Sequence, residues 1–73
     1  MNLRQARRLK VGDIVYSRKN GVVFPYTVLE TQEPLLGSNE FEGVHIVVKF
    51  GLRMSTVIDN SNLEKWHLEE SEA

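Results

Sequence analysis

The stretch Val44-His45-Ile46-Val47-Val48-Lys49-Phe50 alternates its side chains with a period of two, the period of a strand and not of a helix. Val44, Ile46, Val48 and Phe50 fall on one face and His45, Val47 and Lys49 on the other. The segment is therefore expected to be a central strand with its first set turned to a core. Outward from it, Gly51-Leu52-Arg53 turns the chain into Met54–Ile58, where Met54, Thr56 and Ile58 alternate with Ser55 and Val57. Asp59-Asn60-Ser61-Asn62 is a cluster of turn formers. Beyond it, Ser61 and Glu64 stand at capping-box spacing and Leu63, Trp66 and His67 at helical spacing, yet Trp66 and Leu68 also alternate with His67 and Glu69 as a strand would. The reading adopted is one helical turn at Leu63–Lys65 and a last strand at Trp66–Glu69, with Trp66 closing the base of the core.

On the other side, residues 32–43 contain Pro34, Gly37, Ser38, Asn39 and Gly43 and show no sustained period, which marks the longest loop of the chain. Before the loop, a strand is expected at Tyr26–Thr31, begun after Pro25 because a proline cannot donate to a ladder. Asn20-Gly21 suits a two-residue hairpin whose central residues both need positive φ. The first strand is Asp13–Arg18, with Ile14 and Tyr16 on one face and Val15 and Ser17 on the other, and Tyr16 is expected in the core together with Phe50. Leu3–Leu9 forms a brief basic helix capped by Asn2.

Length and composition bound the answer. With 73 residues, 41% of them apolar, 26% charged and no cysteine, the chain is expected to be one small domain without disulfides. A domain of this size removes only about 60% of its unfolded surface from water, which leaves little room for a deep active site. No apolar run approaches the roughly 18 residues of a membrane helix, and Met1–Lys10 lacks the apolar core of a secretion signal. A soluble cytoplasmic protein is expected, and the small format suits a phage or mobile-element origin.

The net charge of -1 conceals an asymmetry. Residues 1–20 carry Arg4, Arg7, Arg8, Lys10, Arg18 and Lys19 against Asp13 alone, and residues 59–73 carry Asp59, Glu64, Glu69, Glu70 and Glu72 against Lys65 alone. Either the basic start binds a polyanion, or the two ends lie side by side and neutralise each other. The division expected is a basic arm or short helix at 1–10, a folded unit at 11–70 and an acidic tail at 71–73.

Five short antiparallel strands, one tight hairpin, one long loop and a helical turn before the last strand describe an all-β chain. They fit a small five-stranded antiparallel SH3-like barrel, with an OB-like barrel as the alternative. The opening Leu9-Lys10-Val11-Gly12-Asp13-Ile14-Val15-Tyr16 resembles the first strand of KOW and Tudor-type domains, and the resemblance covers about residues 9–31. Gly12 there supplies a positive φ and Asp13 accepts hydrogen bonds from nearby backbone amides. The sequence departs from the KOW pattern after the hairpin, where Val22-Val23-Phe24-Pro25 replaces a second glycine-containing step. The Tudor resemblance implies an aromatic cage for methylated cations built from Tyr16, Phe24, Tyr26 and Phe50.

Catalysis finds little support. His45 and His67 are the only histidines, and there is neither a glycine-rich phosphate loop nor a metal-ligating spacing, so no enzyme activity, metal or cofactor is expected. The leading expectation is a non-catalytic module that binds a protein partner through the long loop and strand edges, with Leu35, Leu36 and Phe41 as apolar anchors inside a rim of Glu33, Glu40 and Glu42. The alternative is a nucleic-acid or nucleoprotein binder whose phosphate contacts come from Arg4, Arg7, Arg8, Lys10, Arg18 and Lys19. Homodimerisation through an edge strand is a third expectation, and no membrane contact is expected.

Overall fold

The computed structural model describes residues 1–32 and 43–73. The chain is mostly β. Five antiparallel strands, β1 (Ile14–Lys19), β2 (Val22–Gln32), β3 (His45–Phe50), β4 (Met54–Ile58) and β5 (Trp66–His67), form one sheet in the order β4-β3-β2-β1-β5. The sheet does not close. A short helix α1 (Leu3–Arg7) precedes it, a 3-10 turn at Leu63–Lys65 leads into β5, and a second at Glu70–Glu72 follows. The expected Leu63–Lys65 turn is present, whereas the last strand has two residues in place of four. The second 3-10 turn was not anticipated.

β3 behaves as its alternation requires, but it is not the central strand expected: it lies between the edge strand β4 and β2, and β2 is the middle of the sheet. Ile46 and Val48 are buried, Val44 and Phe50 pack against the core from its margins, and His45 is exposed. The register carries the inner face across the sheet: Val15 opposite Tyr26, Ser17 opposite Phe24, Val28 opposite Val48, and Ile46 opposite Ile58.

β1 faces the other way from expectation. Val15 and Ser17 are buried, while Ile14 is 42% exposed and Tyr16 lies half-buried on the outer face. Ser17 stands between Phe24 on β2 and Trp66 on β5 in the register, and two large rings flanking one position leave room only for a small side chain.

β2 is also longer than expected, because it begins at Val22 and runs through Pro25. Asn20 (φ 51°) and Gly21 (φ 79°) form the two-residue hairpin, and Lys19 pairs with Val22. Counting alternate pairs from that turn makes Tyr16–Pro25 a pair that exchanges no hydrogen bonds. The missing N–H of Pro25 thus points away from β1, toward the β3 side, where pairing starts only at Thr27. Further along β2 the register shifts between Val28 and Glu30, so Leu29 is a bulge residue.

The opening of β1 has the local chemistry read from Gly12-Asp13. Gly12 has φ 97°, and the Asp13 carboxylate accepts from the Lys10 amide at 2.8 Å. The Gly12 amide donates to the Val28 carbonyl at 2.9 Å, and the Val28 amide donates to the Asp13 carbonyl at 2.8 Å.

The first ten residues are part of the folded unit. Asn2 and Gln5 form a capping box at the start of α1, and Ala6 and Leu9 join Val15, Tyr26, Val28, Ile46, Val48, Ile58, Leu63 and Trp66 in one core. The two ends of the chain meet: the Met1 amino nitrogen donates to the Leu63 carbonyl at 3.2 Å, and Arg18 donates to the Ala73 carbonyl at 2.6 Å. After β4 the capping-box spacing of Ser61 and Glu64 is not used: the 3-10 turn has Asn62 at its N-cap and no side-chain cap hydrogen bond. Instead the Ser61 amide donates to the Asp59 carboxylate at 2.9 Å, while Asn62 accepts from the Asp59 amide at 2.9 Å and donates to the Val57 carbonyl at 2.9 Å.

Candidate functional site

Both tight turns of the sheet, Asn20-Gly21 and Gly51-Leu52-Arg53, lie at the same end, because antiparallel pairing places the end of β1, the start of β2, the end of β3 and the start of β4 together. The inner face continues past the core here. Phe24 and Phe50 are half-buried, with ring centroids 5.3 Å apart in an edge-on arrangement at 81°. The buried Tyr26 ring lies 5.7 Å from Phe50 and 4.8 Å from Trp66, so four aromatic rings run as a chain from the core to the hairpin end. Edge-on stacking of this kind fixes each ring by its neighbour.

At this end of the sheet three aliphatic side chains are strongly exposed: Val22 (52%), Leu52 (97%) and Met54 (56%). Met54 faces Phe50 across the strand pair, and Val22, two residues before Phe24, shares its face, so Val22 and Met54 extend one apolar surface. The segments 19–24 and 49–54 contribute Lys19, Lys49 and Arg53 and no acidic residue. Lys19 Nζ sits 5.9 Å from the Tyr26 ring centroid, at the outer limit of a cation–π contact. The result is an apolar surface beside two turn segments that carry only positive charge, while Arg18, next to Lys19, reaches the C-terminal Ala73. Nothing in the alternation pattern marks Val22, Leu52 and Met54 as a group. The available signal was an apolar residue, Leu52, at the middle of a three-residue turn.

The four residues of the proposed cage do not converge. Phe24, Tyr26 and Phe50 belong to the ring chain, and Tyr16 lies on the outer face opposite Pro25 and His67. The six basic residues fall into two groups. Arg18 and Lys19 close the hairpin end, whereas Arg7, Arg8 and Lys10 line a groove at the other end of β1 whose floor includes Leu9, Val44 and Ile46. Arg4 is exposed on α1. The two groups are separated by the length of a six-residue strand, about 20 Å. Leu35, Leu36, Glu40, Phe41 and Glu42 lie outside the described residues.

His45 on β3 and His67 on β5 are separated by β2 and β1. Among the described residues no cluster of metal-ligating side chains occurs. No helix among them is long and apolar enough to cross a membrane. Among the described residues the one clearly displaced titration is that of Asp59, whose carboxyl is held below the usual range first by the Ser61 hydroxyl, then by the Ser61 amide, with smaller help from the Asn62 amide and the charge of His45. Its hydrogen bonds shape the turn after β4. No protein family, curated protein or solved structure matches the chain.

Proposed function

We propose that the chain is a non-catalytic interaction module of SH3-like barrel type that binds an acidic, amphipathic segment of a protein partner at its hairpin end. The barrel reading is supported by the strand order, in which β5 returns antiparallel beside β1 after a 3-10 turn. The function rests on one observation: Val22 and Met54 stand exposed beside the half-buried Phe24 and Phe50, with Leu52 exposed in the adjoining turn, and the two turn segments 19–24 and 49–54 carry only positive charge. An apolar surface of several large side chains on a small domain is costly in water unless something covers it. That charge favours an anionic partner and disfavours a methylated cation. The exposed groups are aliphatic while the rings present edges to one another, which suits leucine-like or aromatic anchors of a peptide better than the stacking of bases.

Selection of displayed peptides tests the assignment. Peptides enriched on the wild-type chain should combine Asp or Glu with aromatic or large aliphatic residues, and should be lost on a Val22→Ser/Leu52→Ser variant that retains the wild-type far-UV spectrum. Equal enrichment on both would reject the site.

A second reading is favoured by the groove at the opposite end, where Arg7, Arg8 and Lys10 line one concave surface. A nucleic-acid backbone held there would bind with a steep salt dependence, and removal of each contacting cation would lower the slope by about one. Micromolar binding of RNA or DNA at physiological salt, abolished by replacing these three residues, would place nucleic acid ahead of protein.

A further inference from the structure

β4 is the edge of the sheet on the side away from β5, and among the described residues no strand pairs with its outer side. An edge strand presents a row of backbone donors and acceptors to any strand that approaches, and small proteins blunt such edges with charges or prolines. β4, Met54-Ser55-Thr56-Val57-Ile58, has neither. Its flanks are charged with opposite signs: Arg53 precedes it and Asp59 follows it. Only the Val57 carbonyl is engaged from the following turn, by the Asn62 side-chain amide.

We infer that β4 pairs antiparallel with β4 of a second copy of the chain about a two-fold axis through Thr56. A two-fold axis brings each residue opposite its mirror position in the sequence, so the register fixes every pair. Centred on Thr56, the pairing sets Thr56 against Thr56 of the other copy, Ser55 against Val57, Met54 against Ile58, and Arg53 against Asp59 at both ends. A shift of the axis by one residue in either direction breaks both charge pairs, because no other two-fold register aligns positions 53 and 59. Thr–Thr and opposite-charge pairs are both favourable across antiparallel strands, and the absence of charge within the strand removes the self-repulsion that a charged edge would meet on a two-fold axis. Met54, 56% exposed in one copy, is carried beside the inner face of the other. The product is a ten-stranded sheet continuous across two copies. This pairing shares Met54 and Arg53 with the peptide surface proposed above, whereas Val22 and Leu52 take no part in it, so the Val22→Ser/Leu52→Ser variant tests the peptide surface without touching the strand pairing.

The chain has no cysteine, so one introduced thiol can form a disulfide only with another copy. Directly opposed residues of an antiparallel pair have Cα atoms about 4.5–5.5 Å apart, within disulfide reach. Under mild oxidation Thr56→Cys should form covalent dimers at least tenfold faster than Ser55→Cys, whose thiols are offset by two residues. In sedimentation the wild-type chain should dimerise reversibly at tens of micromolar, and Arg53→Glu, which sets like charges against Asp59 at both ends, should weaken that association at least tenfold. A wild-type chain that stays monomeric at millimolar concentration overturns the inference. So does Ser55→Cys cross-linking as fast as Thr56→Cys, or an Arg53→Glu chain that dimerises as well as wild type.

Discussion

The Tyr26 ring stands edge-on to the Trp66 indole, with centroids 4.8 Å apart and planes at 79°. Both are buried, and their contact ties the short last strand to the middle of the sheet. β5 has only two residues paired with β1, so side-chain packing supplies most of what holds it. Trp66→Ala is expected to cost about 3–5 kcal/mol. In urea the midpoint followed by circular dichroism should fall into the range where much of the population is unfolded in water. An unchanged midpoint would mean that β5 is dispensable. The wild-type transition can be followed by fluorescence, since Trp66 is the only tryptophan.

The two faces of β3 give a paired comparison. Ile46 is 2% exposed whereas Val47 is half-buried on the outer face, so Ile46→Ala should cost about 2–5 kcal/mol and Val47→Ala clearly less. Equal losses in denaturant titrations would contradict the assigned facing.

Gly12 and the Asn20-Gly21 turn test the backbone independently of packing. A Cβ added at Gly12 or Gly21 meets no atom within 4 Å, so any loss on substitution comes from the positive φ alone. Gly12→Ala and Gly21→Ala should each cost about 1–3 kcal/mol. A neutral Gly12→Ala would show that the strand can open in another conformation.

How much of this was legible can be read from particular residues. β3 could be read because its apolar face is continuous and the strand has a neighbour on each side, β4 and β2, which enforce the alternation. β1 could not. Its two faces carry Ile14 and Tyr16 against Val15 and Ser17, and hydrophobicity alone favours the wrong pair. What decides is Phe24 and Trp66 on either side of Ser17, a relationship between three strands that no local window contains. At Pro25 the rule about the missing donor holds, but the sequence does not reveal that β2 lacks a neighbour on the β3 side at that point. The Leu29 bulge left no local signal. Among candidate site residues, Phe24, Tyr26 and Phe50 were singled out and do meet. The exposed aliphatic residues beside them were missed because exposure of single residues cannot be read from a period.

The Asp59 carboxyl gives the chain a specific acid response. Its pKa in the folded chain lies below the usual value, chiefly through the Ser61 hydroxyl. The stability it contributes is therefore fully present above the ordinary carboxylate range, near pH 4, and is lost as pH falls through the depressed folded value. Thermal melting from pH 7 to pH 2 should show a steeper acid loss in wild type than in Asp59→Asn. Parallel curves would mean that the turn after β4 does not depend on this charge.

The proposed function stands or falls on where a bound segment touches the chain. Titration of the isotope-labelled protein with a peptide selected for Glu-flanked aliphatic or aromatic residues, followed by amide chemical shifts, locates that contact directly. The account predicts the largest shifts in residues 19–24 and 49–54, around Val22, Phe24, Phe50 and Leu52. Shifts centred on Arg7–Val11, Thr31 and Gly43–Ile46, with the hairpin end unchanged, would contradict it and move the binding surface to the basic groove.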